Sequence, residues 1–186
     1  SVKSIVIQRE VGNEKESFTL SDFPSLISIE IGYKAFNDCH SIVFENLTQL
    51  QSITLEYGAL CGYECKPKSH MYRPNPYSSY LNRLEMNNLP SLSTFKGEGY
   101  NFIRIGKVTL NNIPSLTSEG IQMREDVFRE VKELYSSNAD SLDRFIEQRK
   151  LHDPIINHLD HVINPVVYSV INPVDPPLDV TDYPQK

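Results

Sequence analysis

The chain has 186 residues, enough for one domain with a sizeable core, or one domain and a tail. Its net charge of −6 excludes a broad nucleic-acid-binding face, which needs a basic footprint to release counterions. No apolar run approaches the length of a membrane span, and no basic start followed by an apolar stretch reads as a signal peptide.

The opening residues Val2, Ile5 and Ile7 set a pattern, apolar-x-x-apolar-x-apolar, that returns at 26–31 and 50–55. Because the chain starts at Ser1 without Met, a processed or truncated amino terminus is expected. The anchors Val2, Leu26 and Leu50 are 24 residues apart, as are Leu92 and Leu116 in "NNLPSLSTF" and "NNIPSLTSE". From Leu50 to Leu92 is 42, one period plus an insertion of 18, and "LYSSNADSL" (134–142) repeats the phrase after 26. Self-similarity at such a period is the signature of stacked coils.

Each column of the repeat has a physical meaning. Ile5, Ile29, Ile53 and Phe95 follow the anchor by three and Ile7, Ile31 and Leu55 by five, so alternate side chains of a short strand turn inward. Phe18/Leu20, Ile42/Phe44, Leu84/Met86 and Val108/Leu110 mark a second strand before each anchor. Phe36, Phe102 and Phe128 add an inward aromatic column, and Cys39, Leu81, Ile105 and Val131 another. One coil cannot bury its apolar side alone, whereas a stack builds a continuous core. Glu119 and Glu147 stand where inward residues are due; Glu119 leaves only Ile121 to hold its strand, so the array is expected to fray there.

Asp22, Asn46, Asn88, Asn112 and Asn138 form a column four residues before the anchor. Such side chains bond backbone in tight turns, and a stack of them is expected to satisfy amides that a bend leaves unpaired. Pro24, Pro90 and Pro114 fix the bend two residues later.

Residues 57–80 hold the insertion, with Tyr57, Tyr63, Tyr72, Tyr77 and Tyr80 beside Lys66, Lys68 and Arg73. Loops of this length are functional or disordered, and Tyr with Arg is the composition of interface hot spots. The other reading is a loop laid over the solenoid flank.

Val127, Val131 and Leu134 make an amphipathic helical stripe over 124–137, and the same residues fit a fifth coil. A second helix is expected over 140–150 with Asp140 as its cap. Together they would close the stack as a helical capping region over about 124–150. The tail, 151–186, writes "VINPV" twice and is rich in Pro, which points to an extended conformation. It packs on its own solenoid or adheres to another chain.

Residues carrying chemistry are sparse. No G-x-S-x-G, P-loop, G-x-G-x-x-G or H-E-x-x-H occurs. His152, His158 and His161 with Asp153 and Asp160 are the densest metal-like group, and a solvated surface explains them equally well. Cys61, Cys65 and His70 lack a fourth zinc ligand, so free thiols or a local disulfide fit better; three cysteines make no disulfide framework and leave the compartment open. The sequon at Asn46 lies in the turn column, where its side chain is engaged. No cofactor, metal or catalytic residue is expected.

The residues "LISIEIGYKAFNDCHSIVFENLTQLQSITL" (26–55) and "FIRIGKVTLNNIPSLTS" (102–118) resemble the leucine-rich repeat superfamily, nearest to its BspA-like members common in protists. The resemblance covers roughly residues 1–146. It implies a β-rich (α/β) solenoid of coils with two short parallel strands each, and a non-catalytic protein-recognition or scaffold module. Outward positions of the first strand, Glu30, Thr54 and Lys96 beside Ser28, Ser52 and Thr94, are the expected binding chemistry. Tyr63, Tyr72, Arg73 and Tyr77 of the insertion join them. The alternative is an accessory subunit of a large assembly, in which residues 2–7 or 160–186 contact another chain.

Overall fold

The period-2 alternation of Ile, Val, Phe and Leu produces ten strands, none longer than five residues, in a computed structural model that describes residues 1–64, 81–124 and 126–150. Sheet A takes one strand from each coil: β1 (Ser4–Ile7), β3 (Ser28–Ile31), β5 (Ser52–Leu55), β7 (Thr94–Gly97) and β9 (Ile121–Met123). Sheet B takes the other: β2 (Ser17–Ser21), β4 (Ser41–Glu45), β6 (Arg83–Asn87), β8 (Lys107–Asn111) and β10 (Glu133–Ser137). All pairing is parallel, and residues one period apart are partners: Ile5 with Ile29, Ile29 with Ile53, Ile53 with Phe95. The chain is therefore a β-solenoid of about five coils, closed by one helix, α1 (Asp140–Arg149).

The inward columns meet in a single core. Leu26, Leu50, Leu92, Leu116 and Leu142 are buried, as are Ile29, Ile53, Phe95, Phe44 and Phe102. Burying a side chain of this size contributes about 1.5–3 kcal/mol. Phe102 stacks on Phe128 with centroids 5.1 Å apart, and Phe145 of α1 meets Phe128 edge-on at 6.5 Å. Leu142 and Ile146 are buried, so α1 covers the carboxy-terminal end of that core.

Corners repeat as faithfully as strands. Three columns adopt left-handed backbone: Glu10, Lys34, Gly58 and Tyr100; Gly12, Phe36, Leu60, Phe102 and Phe128; and Asp22, Asn46, Asn88, Asn112 and Asn138. That conformation costs an ordinary L-residue roughly 1–2 kcal/mol, and Asn or Asp accommodates it best, which accounts for the third column. Its side chains form a directional ladder. Each amide nitrogen donates to the oxygen one coil earlier: Asn138 to Asn112 (2.9 Å), Asn112 to Asn88 (3.0 Å), Asn88 to Asn46 (3.1 Å) and Asn46 to Asp22 (3.1 Å). The expected backbone amide partners are instead engaged by the next coil, as Asn88 N–H donates to Asn111 C=O.

Five expectations need correction. The stripe at 127–134 is not helix: 133–137 is strand β10 in register with β8, and the fifth-coil reading holds, because pairing along Lys107–Asn111 outweighs a weak local preference. Asp140 begins α1 without capping it; Ala139 is the N-cap residue and makes no side-chain bond. Glu119 does not face inward, since two extra residues in the turn let Ile121 and Met123 slide into the buried positions opposite Phe95 and Gly97. Leu81 is 68 % exposed, because the chain leaves the coil after Tyr63 and rejoins it at Asn82, not at Leu81. Tyr63 N–H bonds Cys39 C=O, and Arg83 N–H bonds His40 C=O, so the additional residues run from 64 to 81. The start of the stretch read as insertion, 57–63, is ordinary coil, with Leu60 in the inward aromatic column.

Candidate functional site

In sheet A the odd pleats carry the core and the even pleats face outward. Val6, Glu30, Thr54, Lys96 and Gln122 are in register across all five strands, forming a row with strand spacing of about 4.8 Å. Ser4, Ser28, Ser52 and Thr94 form a parallel row of hydroxyls, with the Ser28 hydroxyl donating to Ser4 at 2.9 Å. The predicted trio Glu30, Thr54 and Lys96 is thus adjacent, and among the described residues neither Glu30 nor Lys96 enters an ion pair.

Beyond the ends of these strands runs an aromatic ridge. Tyr33 and Tyr57, two residues past β3 and β5, stack at 6.2 Å, and Tyr57 meets Tyr100 at 5.0 Å. Arg9 lies 5.5 Å and Lys34 5.1 Å from the Tyr33 ring, within cation–π range. The Glu56 carboxylate accepts the Tyr33 N–H at 2.6 Å and Glu98 accepts that of Tyr57 at 3.3 Å, so acids of one coil fix the backbone of the tyrosine before it. Burial, then the neighbouring Tyr100 hydroxyl, holds the Tyr57 phenol above its ordinary pKa; hydrogen bonding to Tyr33 does the same for Lys34. At its amino-terminal end the ridge opens into a cleft of about 610 Å³ between Val6, Arg9, Glu10, Gly32, Tyr33 and Glu56.

The root of the insertion is a separate, polar corner. Asn82 is fully buried; its amide donates to the carbonyls of Tyr63 (2.8 Å) and Arg104 (2.9 Å), and its oxygen lies 3.1 Å from His40 Nδ1. The Tyr63 ring packs on His40 at 4.1 Å. Arg104 bonds the Glu64 carboxylate at 3.2 Å, while burial pushes the Glu130 carboxyl above its usual range. Tyr63 is therefore a fastening of the loop base, on the far side of the turn leg from the sheet A row. Tyr72, Arg73, Tyr77, the His152–His158–His161 group and residues 160–186 lie outside the described residues.

Cys39 and Cys61 are buried free thiols, both pushed up to about 11 by burial. The Cys61 thiol donates to Tyr100 C=O at 2.9 Å, which turns it inward. Among the described residues no three His, Cys, Asp or Glu side chains converge on a metal-sized site, and no helix is long and apolar enough to cross a membrane.

Tyr33, Tyr100, Asn82 and Asn101 are the residues that sequence reasoning missed. Tyr33 and Tyr57 stand one period apart, so the repeat itself contained that signal. Asn101, which is buried and donates to the carbonyls of Glu56 and Ala59, occupies the column of Ala35 and Ala59 and had none. No family model matches the chain, and neither a curated protein nor a solved structure is significantly similar to it.

Proposed function

We propose that the chain is a non-catalytic, leucine-rich-repeat-like recognition module, which binds a partner protein through the outward face of sheet A and the tyrosine ridge bordering it. The observation that supports this reading is the continuity of the two: the outward row Val6, Glu30, Thr54, Lys96 and Gln122, in which neither Glu30 nor Lys96 enters an ion pair among the described residues, runs beside three tyrosines with basic neighbours. Tyrosine rings with Arg beside them are the composition of interface hot spots. The tyrosine-rich insertion, with Tyr72, Arg73 and Tyr77, is a second binding element in this reading.

Affinity capture from the native source, comparing wild type with Tyr57→Ala/Tyr100→Ala and Lys96→Glu, tests it. A stoichiometric partner lost by both variants and retained by the sheet B variant Thr109→Lys is the expected result. Retention by all three variants overturns the assignment of the surface. The far-ultraviolet circular dichroism of each variant establishes that it is folded.

A further inference from the structure

One rung of the Asn ladder is followed by a residue that the other coils do not use. Two residues after their rungs stand Pro24, Pro90 and Pro114, whereas Asn46 is followed by Leu47 and Thr48. Asn46-Leu47-Thr48 is a sequon, and no other Asn of the chain has Ser or Thr two residues on.

We propose that Asn46 is an N-glycosylation acceptor, which carries an oligosaccharide on Nδ2 without leaving the ladder.

The ladder fixes which way this amide points. The Asp22 carboxylate has no hydrogen to give, so Asn46 must turn Nδ2 toward it, at 3.1 Å. Oδ1 then faces the next coil, where it accepts from Asn88 at 3.1 Å. In a planar amide the hydrogen directed opposite to the oxygen is the one trans to it. The bond to Asp22 therefore uses the trans hydrogen, and the cis hydrogen points across the stack, away from Cβ. A substituted amide places its new carbon cis to the oxygen and keeps the trans N–H, as the backbone itself does. Glycosylation thus replaces the one hydrogen that the ladder leaves idle. Asn46 is engaged, as the sequence implies, and still has a position to give; it is also exposed.

The donor required is an oligosaccharyl pyrophosphoryl lipid. Nδ2 bonds to the anomeric carbon, and that carbon's bond to the pyrophosphate oxygen breaks. The electron pair leaves with the lipid pyrophosphate and Nδ2 gives up one proton, so nothing is oxidised or reduced. Transfer acts on the extended chain before the coil closes, so the burial of Leu47 in the finished fold does not oppose it. Closure then needs only the carbonyl of Thr48, which accepts the Ser91 hydroxyl at 2.7 Å. Asn46 precedes β5 and Tyr57 follows it, so the glycan and the tyrosine ridge stand at opposite ends of that strand.

Mass spectrometry of the chain from its native source, after peptide N-glycosidase treatment in heavy-oxygen water, tests the proposal. Asn46 should be recovered as labelled aspartate; recovery as unlabelled Asn46 alone overturns it. In secretion from a eukaryotic host, Thr48→Ala and Thr48→Pro should both abolish the glycan, and the second restores the residue of the other coils. A glycan that persists in both variants overturns the assignment to Asn46. The glycosylated chain should unfold at the same urea concentration as the unmodified chain made in bacteria. A midpoint lowered as far as that of Asn46→Gly, which removes the rung alone, would overturn the claim that the ladder survives.

Discussion

Asn88 both donates to Asn46 and accepts from Asn112 while holding φ at 56°. Replacement by Ala removes two hydrogen bonds and places an ordinary L-residue in left-handed backbone, at a cost of about 1–3 kcal/mol. Asn88→Gly loses the bonds but not the conformational ease, so it should be less harmful; urea titration of the two variants measures both parts, and a neutral Asn88→Ala would show that the ladder holds nothing. Glu130 illustrates the opposite sign. Burial raises its folded pKa above the unfolded value, so its contribution to stability is fully present below the unfolded pKa and is lost as pH rises through the folded one. Glu130→Gln should therefore melt higher than wild type at neutral pH and equal to it below about pH 4. A lower melting temperature at pH 7 would mean that the ionised Glu130 contributes through Arg104 more than its burial costs.

The strands behave as units whose register is set by alternation. In β5, Ile53 is buried and Thr54 faces outward, so Ile53→Ala should cost about 2–5 kcal/mol, and Thr54→Ala should stay within about ±0.5. The turn before β9 is a sharper case, because periodicity put Glu119 opposite Phe95 and left Ile121 alone to hold the strand, whereas the coil sets Ile121 opposite Phe95 and adds Met123. Gly120 explains the detour: a Cβ there would lie 2.0 Å from Ser93 C=O, so the chain passes this point as glycine and reaches the core one pleat later. Thermal melts should show Glu119→Ala near wild type and Ile121→Ala strongly destabilised; the reverse order would restore the simpler register.

Across the whole molecule, stability is carried by contacts between neighbouring coils, so an excursion from one coil costs little if its ends stay together. Tyr63 stands over Cys39 and Asn82 over His40, consecutive positions of the coil, and Asn82 bonds Tyr63 directly. Joining Tyr63 to Asn82 and deleting 64–81 should restore a 24-residue coil. The shortened chain should unfold at equal or higher urea, since removing a loop of this length relieves closure entropy on the order of 2–3 kcal/mol. Failure to fold would show that the insertion supports the third coil.

What the amino-acid order determined by itself is whatever recurs. The period of 24, the two strands per coil, the anchors and the Asn column were legible because stacking forces equivalent residues into equivalent environments, and each coil restates the same constraint. What only the tertiary structure decided is where coils differ. A chain leaving its path at Tyr63 and returning at Asn82 keeps the pattern on both sides, so only the cross-coil bonds of Cys39 and His40 locate the break. The segment 127–134 satisfies helix and coil alike, and the open edge of β8 settled it. The tyrosine ridge joins residues of separate coils, and its neighbours across the corner, Tyr57 and Tyr100, fall out of period; they meet because Tyr100 approaches from the adjoining left-handed column, a contact made by the bend of the backbone.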